Sequence, residues 1–227
     1  MRFLSVLKGD IRFQFRYGFY FIYALFTLLY VLILQLVGEQ WQARVAVLMI
    51  YSDPAVLGLF FMGAILQFEK DEHTLHSLVV SPLKPGEYVL SKLCSLSIIA
   101  TLVALSIAGF GTVVAHPVLV GGTIFIGSCL FSSLGLVLAT KTETLNQFIF
   151  ATIPCLLVIS IPAALYILRP GSPWMLLHPG VSIIELCLSG EHRVLAGVSL
   201  LLWTSGVLYY TVQTTRAFFN TLGGVKR

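Results

Sequence analysis

The sequence predicts an all-α polytopic membrane protein, and three observations carry that prediction. Apolar residues make up 57% of the 227 residues and charged ones only 11%, against about 45–50% and 25% in soluble domains. Mean hydropathy is +0.92. Six windows, 18–37, 45–66, 93–115, 117–139, 148–168 and 194–212, are long enough to cross a hydrocarbon core of about 30 Å, which takes roughly 20 helical residues. They run continuously apolar, without the period-two alternation of barrel strands. The chain reads as one transmembrane domain, 1–227, with three specialised segments: an interface helix over 1–17, an inner loop over 68–92 and an outer re-entrant segment over 169–193.

Ahead of the first window, Arg2, Lys8, Arg12 and Arg16 recur at helical spacing, while Leu4, Leu7, Ile11 and Phe15 do so on another face. Such a pattern predicts an amphipathic helix lying along the membrane surface, either as a plain anchor held by anionic lipid or as part of a docking surface. Four basic residues followed by a full-length span do not form a cleavable signal.

Orientation follows from lysine and arginine, which accumulate on the cytoplasmic side. With the N-terminus inside, eleven of the 14 basic residues lie within and only Arg44, Arg169 and Arg193 without. Both termini are therefore expected in the cytoplasm, with the protein in the plasma membrane. The net charge of +4 is a topology signal, and no nucleic-acid partner is implied.

In the second window, Ser52-Asp53-Pro54 is a helix-start signature and predicts a kink or break there. Asp53 has two readings, a cap on the inner half-helix or a residue of a transport pathway, because an ionisable group inside a membrane is costly and functional by default. Pro154 and Pro162 predict bends in the fifth window. Between the fifth and sixth windows, prolines and glycines divide the outer segment into two short apolar pieces, 174–177 and 181–188, suited to dipping into the outer leaflet, with Trp174 as an interfacial anchor. Cys94, Cys129, Cys155 and Cys187 are scattered, and His178 and His192 isolated, so neither a disulfide framework nor a metal site is predicted.

The inner loop holds seven charged residues: Glu69, Lys70, Asp71, Glu72, Lys84, Glu87 and Lys92. Phe68, Leu75, Leu78 and Val79 fall near one helical face, and Glu69 to Glu72 would occupy the first turn of a short helix, where acids complement the dipole. Ser81-Pro82 stops that helix, and Pro85-Gly86-Glu87 restarts another running into the third window. Three acids and one base suit a protein partner better than anionic headgroups.

The run EKDEHTLHSLVVSPLKPGEYVLSK resembles the signature inner segment of permeases of the type-2 class of ATP-binding-cassette (ABC) exporters. Glu69, Lys70, Thr74, Leu75, Leu78, Ser81, Pro82, Glu87 and Lys92 fit that pattern. Asp71 stands for its second acid, while His73 replaces a usual glycine and His76 a usual acid. DIRFQFRYGFYFIYALFTLLY and YSDPAVLGLFFMGAILQFEKDE are in turn similar to fluoroquinolone-export permeases. The resemblance implies that Glu69 to Pro82 is a coupling helix in a cleft of a separate cytoplasmic ABC ATPase. Glu69, Asp71 and Glu72 would contact basic residues there, and Leu75 and Leu78 would form an apolar knob. The entry helix with Arg2, Lys8, Arg12 and Arg16 would pack alongside.

ATP and Mg²⁺ would then belong to the ATPase, since this chain carries no G-x-x-x-x-G-K-[ST] phosphate loop and is expected to be a transport subunit rather than an enzyme. A second permease, identical or related, would complete the pathway, moving an amphipathic drug or lipid-like substrate outward. The competing reading is an ion-coupled secondary transporter or channel. It would need broken helices or acids at matching positions of two repeated halves, and Ser52-Asp53-Pro54 has no counterpart in the last three windows. An intramembrane enzyme is the third reading, but the sequence shows no paired intramembrane acids, histidine cluster or G-x-S-x-G motif, and Ser128, Ser132 and Ser133 with Gly127 and Gly135 suit helix packing.

Overall fold

A computed structural model describes residues 2–75, 83–110, 116–168 and 173–222, excepting the side chains of Arg2, Pro54 and Ala55. The described residues form helices and no strand. The order is α1 (Arg2–Arg16), α2 (Phe19–Leu36), α3 (Glu39–Ser52), a π-helical segment (Asp53–Gly58), α4 (Leu59–Asp71), α5 (Pro85–Phe110), α6 (Pro117–Lys141), α7 (Leu145–Leu168), a 3₁₀ turn (Pro173–Leu177), α8 (Pro179–Cys187) and α9 (Arg193–Leu222). Six helices are long and apolar enough to span a membrane, with α3, the π segment and α4 forming one of them.

Each expected window is matched by one helix; the first, Phe19–Leu36, falls one residue short of its window at each end, and several of the others run beyond theirs. The second helix runs Glu39–Asp71, the third begins at Pro85 and the last continues to Leu222. Hydropathy marks only the part of a helix suited to hydrocarbon, whereas amphipathic ends continue beyond it. Window positions 111–115 lie outside the described residues.

Burial sorts the spans. In α6 67% of the apolar stretch is buried, against 17% in α2 and 22% in each of α7 and α9, so α6 is the axis and α2, α7 and α9 form the periphery. With most of α6 committed to protein, small residues let neighbours approach. Gly135 sits directly on the backbone carbonyl of Leu59, and Ser132 Oγ donates to the Gly58 carbonyl at 3.3 Å. At the periphery aromatic rings do the packing: Phe61 of α4 meets Phe19 and Tyr23 of α2 edge-on at 4.9 and 5.1 Å.

The second span is not broken at Asp53, nor does Asp53 cap its inner half; of the expected kink or break, what the structure has there is a π-helical bulge, a feature at which helices kink. Its backbone passes through one wide π turn over Asp53–Gly58 and continues as α4. Such a bulge reroutes the hydrogen-bond ladder around a residue that would otherwise break it. Ser52 Oγ donates to the Met49 carbonyl at 2.8 Å instead of capping downstream amides.

In α7 the helix also continues through Pro154 and Pro162. Pro162 leaves the Val158 carbonyl without its usual ladder donor, and His178 interacts with that carbonyl. The next carbonyl, Ile159, accepts from Tyr51 Oη at 3.0 Å. The two short pieces expected between the fifth and sixth windows are the 3₁₀ turn and α8, and Trp174 is 80% exposed. However, every residue of α8 is buried, against α9, α6, α7 and α3. Glu185 fixes it there by accepting from Tyr166 Oη at 2.7 Å and from the His192 amide at 3.0 Å. Of the two forms expected for this segment, α8 has that of a short helix packed within the bundle and held by a carboxylate, not of one lying on the lipid surface.

Any β-carbon at position 135 would strike backbone rather than a movable side chain. Gly135→Ala is expected to force α4 and α6 apart at a cost of about 1–3 kcal/mol, read as a lower thermal-unfolding midpoint of the detergent-solubilised protein.

Candidate functional site

One end of the bundle carries a buried charge cluster assembled from three helices. Asp10 comes from α1, Glu69 from the last turn of α4 and Lys92 from the second turn of α5. Lys92 is 2% exposed, and its Nζ lies 2.6 Å from Glu69 Oε1 and 3.0 Å from Asp10 Oδ1. Tyr88 Oη donates to Glu69 Oε2 at 2.6 Å, and Ser91 Oγ donates to Asp10 Oδ2. All four carboxylate oxygens thus accept a bond. The ammonium also lies 4.9 Å from the centre of the Tyr88 ring, which packs on Phe219 of α9. Beside the cluster Gln14 of α1 donates to Ser95 Oγ at 2.6 Å.

Desolvating three charges costs several kcal/mol per ion, repaid only when geometry and hydrogen bonds are complete. Here they are, so the cluster fixes how α1, α4 and α5 meet. The entry helix has three faces as a result. Asp10 and Gln14 point into the protein, Lys8, Arg12 and Arg16 are exposed, and Leu4 and Phe15, 59% and 72% exposed, form an apolar margin suited to lipid. Arg2 belongs to the same helix.

A second tie is made by Lys70, whose Nζ donates to the carbonyls of Ala139 at 2.7 Å and Thr142 at 2.6 Å. A cation on the last carbonyls of α6 is favoured by the helix dipole. Gln67 adds a bond to Thr142 Oγ1 at 2.9 Å.

The structure therefore divides the expected coupling residues. Glu69 and Lys70 are engaged within the bundle, and Leu75 is 2% exposed, a buried side chain rather than an open knob. Glu69, Lys70 and Asp71 finish α4 and do not start a separate helix. The chain turns at Glu72 and His73, and His73 has φ 56°, the left-handed region that glycine enters without cost. That accounts for glycine in the resembled pattern. Thr74 Oγ1 then donates to the Glu69 carbonyl at 3.1 Å. Asp71 and Glu72 are exposed, Glu72 accepting from Tyr17 Oη of the entry segment. Leu78, Ser81 and Pro82 lie outside the described residues. The restart is as expected: α5 begins at Pro85, and Glu87 Oε2 accepts the Lys84 amide at 3.0 Å.

Asp53 stands apart, fully buried in the second span. Sequence reading missed Asp10, Gln14, Tyr88 and Ser91. The available signal was Asp10 itself, the sole acid in the first 38 residues, one helical turn before Gln14 and off both the basic and the apolar rows. Among the described residues no group of acids, histidines and cysteines could hold a metal ion.

Fold and site together define a multi-pass, all-α membrane protein. A family model described as the fluoroquinolones export permease protein family matches residues 1–219, and the chain belongs to that family. It is also 32% identical over 121 residues to fluoroquinolones export permease proteins from two strains of Mycobacterium tuberculosis, one of them the Oshkosh strain. Those alignments take in 51% of this chain and 49% of each relative, so the chain spans about half the length of the curated relatives it matches.

Removing the cation strands two buried carboxylates. Lys92→Met is expected to cost about 3–5 kcal/mol, seen as a large fall in unfolding midpoint and rapid proteolysis of α1. Combining it with Asp10→Asn and Glu69→Gln should recover most of that loss, whereas equal losses in single and triple variants would mean that charge pairing is not what holds the three helices.

Proposed function

We propose that this chain is the membrane-spanning subunit of an ATP-driven exporter, working with a separate cytoplasmic ABC ATPase and a second permease chain. The reading is supported by family membership and by one observation above the rest. The Lys92 cluster fastens the entry helix, the second span and the third span together, and leaves Asp71 and Glu72 exposed at the loop beyond them. A rigid inner end carrying exposed acids suits a motor that docks through basic residues, because charge complementarity steers association and fixes register. ATP and Mg²⁺ are bound by the ATPase, and this chain performs transport rather than hydrolysis.

In this reading both termini face the cytoplasm across the plasma membrane, with the docking surface formed by the loop from Asp71 through Leu78, Ser81 and Pro82. Glu69, Lys70, Thr74 and Leu75 act behind it, transmitting displacement of the loop to α4, α5 and α6 through the bonds that hold them. Arg2, Lys8, Arg12 and Arg16 hold the entry helix at anionic lipid beside the docked subunit. The cargo is an amphipathic drug of the kind the family description names, or a lipid-like molecule of similar shape, and it moves outward.

Asp71→Lys with Glu72→Lys tests the docking role without touching the buried cluster. Drug export from inverted vesicles should fall by about tenfold or more, equivalent to roughly 1.4 kcal/mol or more of docking energy. The co-purified ATPase should fall with it, while the unfolding midpoint of the permease stays unchanged. Failure of the wild-type chain to co-purify with any nucleotide-hydrolysing subunit would overturn the assignment.

A further inference from the structure

Asp53 has no role in the inner cluster, yet its surroundings are unusual for a carboxyl group. It lies in the second span and is 0% exposed; among the described residues neither carboxylate oxygen has a partner at ordinary hydrogen-bond geometry, the Tyr30 hydroxyl being the one group near enough to interact with it as a donor. Buried carboxylates normally take two or more donors, since each unmet oxygen forfeits its hydration. Both described ion pairs are made by Lys92 in the charge cluster, so no ion pair compensates Asp53 among the described residues. The backbone at this point is the π segment Asp53–Gly58, a distortion found frequently where helices carry function.

Across from Asp53 stands α2, with two phenols in electrostatic reach of the carboxylate, Tyr23 and Tyr30. Tyr30 Oη shares a 3.3 Å bond with Ser52 Oγ. Tyr23 Oη is buried and has no partner among the described residues. Tyr23 also lines a cleft of about 440 Å³ between α2 and α5, whose walls are apolar and aromatic and include Tyr20, Leu28, Ile99 and Phe110. Asp53 and Tyr30 do not themselves line the cleft, so Tyr23 stands between the cavity and the carboxyl group, within the field of the carboxylate. α2 is also among the least buried of the spans, which suits entry of a ligand from the lipid side.

We propose that Asp53, with Tyr23 and Tyr30, forms an intramembrane recognition site for lipophilic cations, the apolar body of the ligand occupying the α2–α5 cleft and its positive charge lying against Tyr23 in the field of Asp53 behind it. The chemistry follows from the two unmet needs. A carboxylate in low dielectric is stabilised most by an opposite charge delivered without water, and phenol faces and hydroxyls stabilise the same cation. A neutral amphiphile fills the cleft equally well but leaves Asp53 uncompensated, so the site discriminates by charge. This rests on the exporter reading for its physiological meaning, and it narrows the cargo to cationic amphiphiles.

Binding is measured on the full chain in lipid nanodiscs without any ATPase, using radiolabelled tetraphenylphosphonium as probe and uncharged tetraphenylmethane as competitor. Saturable binding is expected for the wild type and weak competition by the neutral compound. Asp53→Asn should reduce affinity by about tenfold or more, the loss expected when a charged partner becomes neutral, with an unfolding midpoint equal to or above wild type. Asp53→Glu should retain binding in part. Difference infrared spectra should show a change in the carboxyl stretch on binding that Asp53→Asn abolishes. Equal affinity in wild type and Asp53→Asn, or no saturable binding to wild type, overturns the proposal. Either result leaves the ATPase co-purification test untouched, so the two readings fail separately.

Discussion

Three helices of this protein meet where they do because one ammonium group, Lys92 Nζ, is surrounded by Asp10, Glu69 and the face of Tyr88. Hydrophobic burial cannot hold helices together inside a bilayer as it does in water, since lipid tails are as apolar as leucine. Close packing and polar ties have to supply the specificity. The Lys92 cluster does so at one end, Glu185 does so around α8, and the glycine contacts of α6 serve the middle. The entry helix is the clearest dependent, because its apolar residues Leu4 and Phe15 face away from the protein and its polar ones hold it in place.

The same arrangement gives the bundle its mechanical character. From Glu39 to Asp71 the second span runs through α3, the π segment and α4 as one continuous span, with the Lys92 and Lys70 ties in its last turns and the π segment near its middle. Under the proposed function, a push at the inner loop reaches α4 first and is shared at once with α1, α5 and α6. The π segment is then the place where that movement has the most freedom to alter the geometry around Asp53, since its ladder is already rerouted. Coupling and recognition would in that case be two ends of a single helix, linked by a segment whose hydrogen bonding is irregular.

Much of the fold was legible in the sequence, for a physical reason. A bilayer demands about 20 apolar helical residues per crossing, so the six windows could be read from hydropathy alone. The restart at Pro85 followed from local chemistry that depends on neighbours only. Less legible were features set by residues distant in the chain. Glu69 reads as an exposed acid until Lys92 and Asp10 are brought to it, and Leu75 reads as a knob until the bundle covers it. Asp53 reads as a cap because Ser-Asp-Pro is a capping signature in water, while inside the span a π turn absorbs the proline. The left-handed backbone at His73 was written only in the resembled pattern, as the glycine this sequence lacks.

Under the proposed function, the loop beyond the Lys92 cluster points into the cytoplasm and contacts a separate ATPase. Site-specific photocrosslinking from position 71, in intact cells, tests it most directly. The predicted product joins this chain to a nucleotide-hydrolysing protein and becomes weaker or stronger when ATP is depleted. Crosslinks only to lipid, or labelling of position 71 by a membrane-impermeant reagent applied outside, would contradict it.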